Sequence, residues 1–166
     1  MIVNILSVKT AEVGKSNLKR LIKMNDKNCT YCRIISGKIE ANLPTIYEDE
    51  LVFAFLSHAP VNPGHAIVLP KKHYKNPSAL PEMVAGRMFY IASRIGVACR
   101  RALEADGFNI IANDGFCSGQ DIPHAHLHVI PRYINDGFHL NWRMLADIPP
   151  ATETAEKIKS KLKVED

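Results

Sequence analysis

The chain has 166 residues, 46% of them hydrophobic and 23% charged, which suits one hydrophobic core of ordinary size and argues against wholesale disorder or a fibrous repeat. Its apolar runs are shorter than the roughly 18 to 20 residues that cross a bilayer, and four cysteines are too few for a disulfide-dense secreted scaffold. A cytoplasmic protein with no membrane partner is expected. The net charge of +4, from 21 Lys and Arg against 17 Asp and Glu, would by itself suit a polyanion-binding protein.

That excess is local. Residues 1–23 hold Lys9, Lys15, Lys19, Arg20 and Lys23 against Glu12, whereas the charges from Met24 onward balance at 16 and 16. No nucleic-acid partner is therefore expected. Residues 1–23 read as a poorly ordered basic appendage, and a targeting arm, a basic arm and an upstream start before Met24 all remain open. Gly14-Lys15-Ser16 makes no phosphate loop, because Lys9 stands where the first glycine of that motif belongs.

The spacing predicts a short helix around Tyr31 to Ser36, then strands near Thr45 to Glu48, Leu51 to Leu56 and His65 to Leu69. Asp49-Glu50 separates the first two strands, and the loop Ala59 to Gly64 contains two prolines that no helix would tolerate. Beyond Pro81, Val84, Met88, Ile91, Ile95, Ala98 and Ala102 recur at steps of four and three, one apolar stripe of a long helix ending near Asp106-Gly107. Strands follow at Phe108 to Ala112 and Ala125 to Ile130. Pro149-Pro150 then precedes a Lys/Glu-rich helix in a tail over 146–166, which leaves 24–145 as the main domain.

Two groups of residues carry chemistry. Cys29 and Cys32 form a C-x-x-C, which points to metal or redox chemistry or to two incidental cysteines, while Cys99 and Cys117 lack such spacing. The second group is His124-Ala125-His126-Leu127-His128-Val129. In a strand these histidines share one face while Ala125, Leu127 and Val129 enter the core. Neighbouring imidazoles would stand roughly 6 to 7 Å apart, close enough to act on one phosphate or one metal. A neutral imidazole is a strong nucleophile toward phosphorus, and His-x-His is also a good zinc chelate, so both readings stand. The polar stretch Asn113 to Gln120 could supply donors to non-bridging oxygens.

The run His124-Ala-His126-Leu-His128-Val-Ile resembles the signature of the histidine triad (HIT) superfamily. Cys29-Thr-Tyr-Cys32, Pro60-Val-Asn-Pro-Gly-His65 through Lys72-His73, and Phe108-Asn-Ile-Ile-Ala-Asn113-Asp-Gly stand in the order seen in its Hint-like branch. The resemblance covers about Asn28 to Arg132. It implies an α+β fold with a five-stranded antiparallel sheet, one long and one short helix, and a homodimer with a ten-stranded sheet.

It also implies a nucleotide hydrolase that cleaves at the α-phosphate of a purine nucleotide conjugate, a phosphoramidate or a dinucleoside polyphosphate. His126 would be the nucleophile that forms a nucleotidyl-histidine, His128 would stand near the leaving group, and His124 would complete the catalytic set. Asn113, Gln120 and His65 match nucleotide- and phosphate-binding positions, and Ile34 and Phe55 match base-contacting ones. Ser57 stands where an acidic ribose-binding residue is common and is followed by His58, so ribose preference is open. Cys29, Cys32, His73 and His124 match a structural zinc site. A nucleotidyl transferase or phosphorylase, and a nucleotide-binding interaction protein with little turnover, are the alternatives.

Overall fold

A computed structural model describes residues 27–39, 44–140 and 149–163; the basic appendage lies outside them. The chain forms two compact units, one ending at Asp136 and the other running from Gly137.

The first unit contains α1 (Thr30–Ile35), β1 (Thr45–Glu48), β2 (Val52–Leu56), β3 (Ala66–Pro70), α2 (Glu82–Ala102), β4 (Gly107–Ala112) and β5 (Leu127–Arg132). Its five strands form one antiparallel sheet in the order β1-β2-β3-β5-β4. The second unit contains α3 (Ala151–Lys159), whose described side chains are exposed. Among the described residues no helix is long and apolar enough to cross a membrane.

Alternation along the strands divides the sheet into two faces. Val52, Ala54, Ala66, Val68, Leu127 and Val129 pack beneath Val84, Met88, Ile91 and Ala92 of α2. Phe55, Ile67 and Leu69 point the other way, against Cys29, Tyr31 and Cys32 of the α1 segment. β5 therefore carries apolar side chains on the α2 face and histidine on the α1 face. The sheet is tied to α2 at its edge as well. Asp49 accepts bonds from the Leu51 and Val52 amides at 2.8 and 2.7 Å and from Arg87 Nε at 2.8 Å.

The long helix differs from expectation in two respects. The predicted long helix ends at Ala102, because Glu104 adopts a left-handed conformation (φ 55°) before Asp106-Gly107 is reached. Its buried side also shifts after Ile91 to Ala92, Gly96 and Cys99, leaving Ala98 and Ala102 exposed, because the second half of the helix packs with Gly96 against the Phe108 ring of β4 and with Cys99 against Gly64.

Gly96 is required there: a Cβ would stand 2.5 Å from the Phe108 ring of β4. Gly96→Ala should therefore lower stability by about 1 to 3 kcal/mol through overpacking, although alanine favours a helix by about 1 kcal/mol over glycine. Chemical denaturation reads the difference, and a variant as stable as the parent would show that Phe108 yields.

Candidate active site and metal cluster

β5 begins at Leu127, two residues later than the alternation predicts. Pro123 precedes the histidines, and His124 closes a tight turn by donating its backbone N–H to Ile122 O at 2.8 Å. The Ala125 amide then bonds Tyr74 O instead of joining the ladder. Consequently the first histidine is turned away from the other two.

His124 is fully buried among sulfur and nitrogen. Its Nδ1 lies 3.4 Å from Cys29 Sγ and 3.5 Å from Cys32 Sγ, and His73 Nδ1 lies 3.4 Å from Cys32 Sγ. One ligand atom from each of the four residues falls within 4.8 Å of all the others. His124 Nε2 is 2.9 Å from Pro70 O; a carbonyl only accepts, so Nε2 carries the proton and Nδ1 offers its lone pair to the cluster. Burial, ahead of smaller contributions, pushes His124 down to about 4, so its ring is in the neutral, ligating form near pH 7. Two thiols and two imidazoles converging in this way fit a tetrahedral metal ion.

His126 and His128 instead line a cavity of about 480 Å³. Its walls come from Tyr31 on α1, Phe55 and Ser57 at the end of β2, His58 and Ala59 in the following loop, His65 and Ile67 at β3, and Asn113, Gly119, Asp121 and Ile122 before β5. His126 Nδ1 is 2.7 Å from the carbonyl of His124. The proton of neutral His126 therefore resides on Nδ1 and the lone pair on Nε2. The His126 and His128 rings meet edge to face, 5.0 Å between centroids.

Burial holds His126 below its ordinary pKa. Burial, reinforced by the neighbouring His126 and His65, pushes His128 down to about 4. These lowered values carry a sign: an unfolded histidine takes up its proton near 6.5 and the folded one only well below that, so acid favours the unfolded chain. The thermal midpoint should fall between pH 6.5 and about 4, with a shallower slope in His128→Asn. A flat profile by differential scanning calorimetry would contradict the burial of these rings.

Several expected residues lie elsewhere. Gln120 is not at the cavity wall: its Oε1 accepts the Gly115 amide at 2.8 Å and its Nε2 donates to Lys75 O at 2.8 Å and to Ile122 O at 3.2 Å. Its amide braces the loop and is spent before any phosphate arrives. Ile34 packs half-buried against the α1 cluster and does not reach the cavity wall. His124, expected in both the catalytic and the metal set, is placed only with the second. Asn113, Phe55, Ser57 and His65 are at the cavity, with Asn113 Nδ2 donating to Gly119 O at 3.2 Å.

Tyr31 was not foreseen as a site residue. Its ring lies 5.3 Å from that of His126 and 5.9 Å from those of His124 and Phe55, and burial, followed by Cys29 and Asp121, raises its hydroxyl to about 12. Its position inside the C-x-x-C was the available signal.

Residues 38–135 match the family model described as the HIT domain. The chain belongs to the HIT family. This HIT protein is 39% identical over 122 residues, 73% of its length and 83% of the relative's, to the protein named hit from Bacillus subtilis. It is 35% identical over 123 residues, 74% of its length and 60% of the relative's, to the adenylylsulfatase HINT3 of Arabidopsis thaliana.

Among solved structures, a HIT family protein from Bacillus anthracis superposes with a TM-score of 0.75 at 36% identity, covering 82% of this chain and 99% of that one. A zinc-bound histidine triad family protein from Mycobacterium smegmatis does so with a TM-score of 0.63 at 38% identity, covering 72% and 84%. The α+β architecture, with its five-stranded antiparallel sheet, agrees with these structures.

Proposed function

We propose that this HIT protein is a nucleotide hydrolase acting at the α-phosphate of a purine nucleotide conjugate, with His126 as the nucleophile. The observation that carries this reading is the 2.7 Å contact between His126 Nδ1 and the His124 carbonyl, which presents the Nε2 lone pair of a neutral, buried imidazole. In the first step Nε2 forms a bond to phosphorus while the bond to the leaving atom breaks and that atom keeps the electron pair. Water then forms a bond to phosphorus, the P–N pair returns to Nε2, the nucleoside monophosphate departs, and a water proton passes to solvent. Two displacements on one histidine retain configuration at phosphorus.

Around that centre, Asn113 and the loop reaching Gly119 are positioned to donate to phosphate oxygens, and His128 to meet the leaving atom. Phe55 and Ile67 offer an apolar surface to the base. Ser57 and His58 stand at the cavity wall without the carboxylate that would grip both ribose hydroxyls. Cys29, Cys32, His73 and His124 would hold zinc as a closed structural site that crosslinks α1 to the sheet. A homodimer through α2 is supported by the exposure of Met83, Phe89 and Tyr90 at 53%, 59% and 56%.

Substrate class is tested by offering adenosine phosphoramidate, a diadenosine polyphosphate and adenylyl sulfate, the last suggested by the relative named an adenylylsulfatase. Release of AMP supports the hydrolase reading. Release of ADP only when inorganic phosphate is added would replace it with a phosphorylase, and no turnover of any of the three would leave a nucleotide-binding protein.

A further inference from the structure

His65, just before β3, and His128 on β5 face each other with His65 Nε2 3.1 Å from His128 Nδ1 and ring centroids 5.3 Å apart. Two imidazole nitrogens at that distance share one proton, and the next partner outward decides which ring owns it. The Val61 backbone nitrogen lies 3.1 Å from His65 Nδ1. A backbone N–H can only donate, so His65 Nδ1 is the acceptor and neutral His65 carries its proton on Nε2. That proton is donated to His128 Nδ1, which leaves the proton of neutral His128 on its own Nε2. One main-chain N–H thus sets two tautomers in series.

The loop that carries Val61 is fastened to the strand that carries His128. Asn62 Nδ2 donates to Pro131 O and to Asp136 Oδ2, each at 2.9 Å. Arg132, at the end of β5, reaches the same carboxylate through Nε at 2.7 Å and Nη2 at 2.8 Å. The Asn62 carbonyl accepts the His65 amide at 3.0 Å. Gly64, with φ at 83°, makes the turn that brings His65 back toward Val61.

We propose that His65 is a positioning residue that fixes His128 as its Nε2–H tautomer, with the Asn62–Asp136–Arg132 clamp holding Val61 in place to do so. For the reaction, this rests on the hydrolase reading above. An Nε2–H donates to the atom that leaves phosphorus with its electron pair. The opposite tautomer would present a lone pair to the same electron-rich atom and disfavour its departure. The benefit therefore grows with the charge that the leaving atom must carry.

The first arm of the test needs no turnover. Long-range proton–nitrogen NMR of the ring nitrogens in the full chain near pH 7 should show His128 as the Nε2–H form in the parent and as a mixture of tautomers in His65→Leu. The Nδ1–H form in the parent, or an unchanged spectrum in His65→Leu, would overturn the proposal. The second arm compares two adenylates, one with a basic leaving group and one with a 4-nitrophenolate.

His65→Leu should lower kcat for the first by about 100-fold more than for the second, with KM little altered. His65→Gln, whose amide can donate to Nδ1, should recover most of that difference. Equal losses on both substrates would also overturn the proposal. A parent enzyme inactive on both adenylates would remove the hydrolase reading while the NMR arm still decides the tautomer. If His65→Leu does not fold, the parent spectrum and His65→Gln carry the decision.

Discussion

Replacing His126 with glycine should lower turnover by about 1,000-fold to 1,000,000-fold, as loss of a covalent nucleophile does elsewhere. Folding should survive, because the neighbours that enter the core are Ala125 and Leu127, at 0% and 9% exposure. An imidazole-sized gap would open beside His128 and Tyr31 without unseating the sheet. The measurement is kcat on whichever adenylate the parent hydrolyses, alongside circular dichroism. Acid-stable trapping is unsuitable for a phosphoramidate, so the adduct should be sought by mass spectrometry after a rapid denaturing quench at alkaline pH. Activity within tenfold of the parent would exclude His126 as the nucleophile whatever the rest of the cavity does.

The double substitution Cys29→Ser, Cys32→Ser should release bound metal and lower the melting temperature by about 10 to 20 °C, the size expected when a buried crosslink worth a few kcal/mol is lost. Cys29 and Cys32 are 4% and 2% exposed and belong to the apolar cluster with Tyr31, Phe55, Ile67 and Leu69. Neutral serine hydroxyls there would be far poorer metal ligands than thiolates. Metal analysis of protein purified without added zinc should find about one ion per chain in the parent and none in the variant. Turnover should fall as well, since Tyr31 lies between the two cysteines and touches His126. Acid should strip the metal too, because protons compete for thiolates and imidazoles alike. Equal metal content and an unchanged melting temperature would dispose of the cluster as a metal site.

Much of the fold was legible because its signals are periodic. The strands announce themselves as short apolar runs between turns, and α2 as a stripe at helical spacing. Alternation correctly sent Ala125, Leu127 and Val129 to the core. What alternation could not show is that Pro123 and the turn at His124 delay the start of β5, so that one histidine joins the cysteines while two face the cavity.

The end of α2 was misplaced because Glu104 takes a left-handed conformation, which asparagine or glycine advertises and glutamate does not. Gln120 illustrates a different gap. Its residue type is right for a phosphate contact, but the competing demand of the backbone groups of Gly115, Lys75 and Ile122 is a tertiary fact. Ile34 shows the same in apolar form, since an isoleucine on α1 has no mark that separates cavity lining from core. Tyr31 joins two centres only because the sheet brings positions 29–32 beside positions 124–126.

The two faces of β5 constrain how the segment can change. Substitutions on the α2 face trade one aliphatic shape for another against Met88 and Ile91, and cost packing alone. A single inserted or deleted residue between Ala125 and Val129 would act on everything at once, driving imidazoles beneath α2 and aliphatic chains into the cavity. The segment can therefore vary in composition on one side while its length stays fixed. Deep mutational scanning should find point changes at Leu127 and Val129 widely tolerated among aliphatic residues and no single-residue length change tolerated at all.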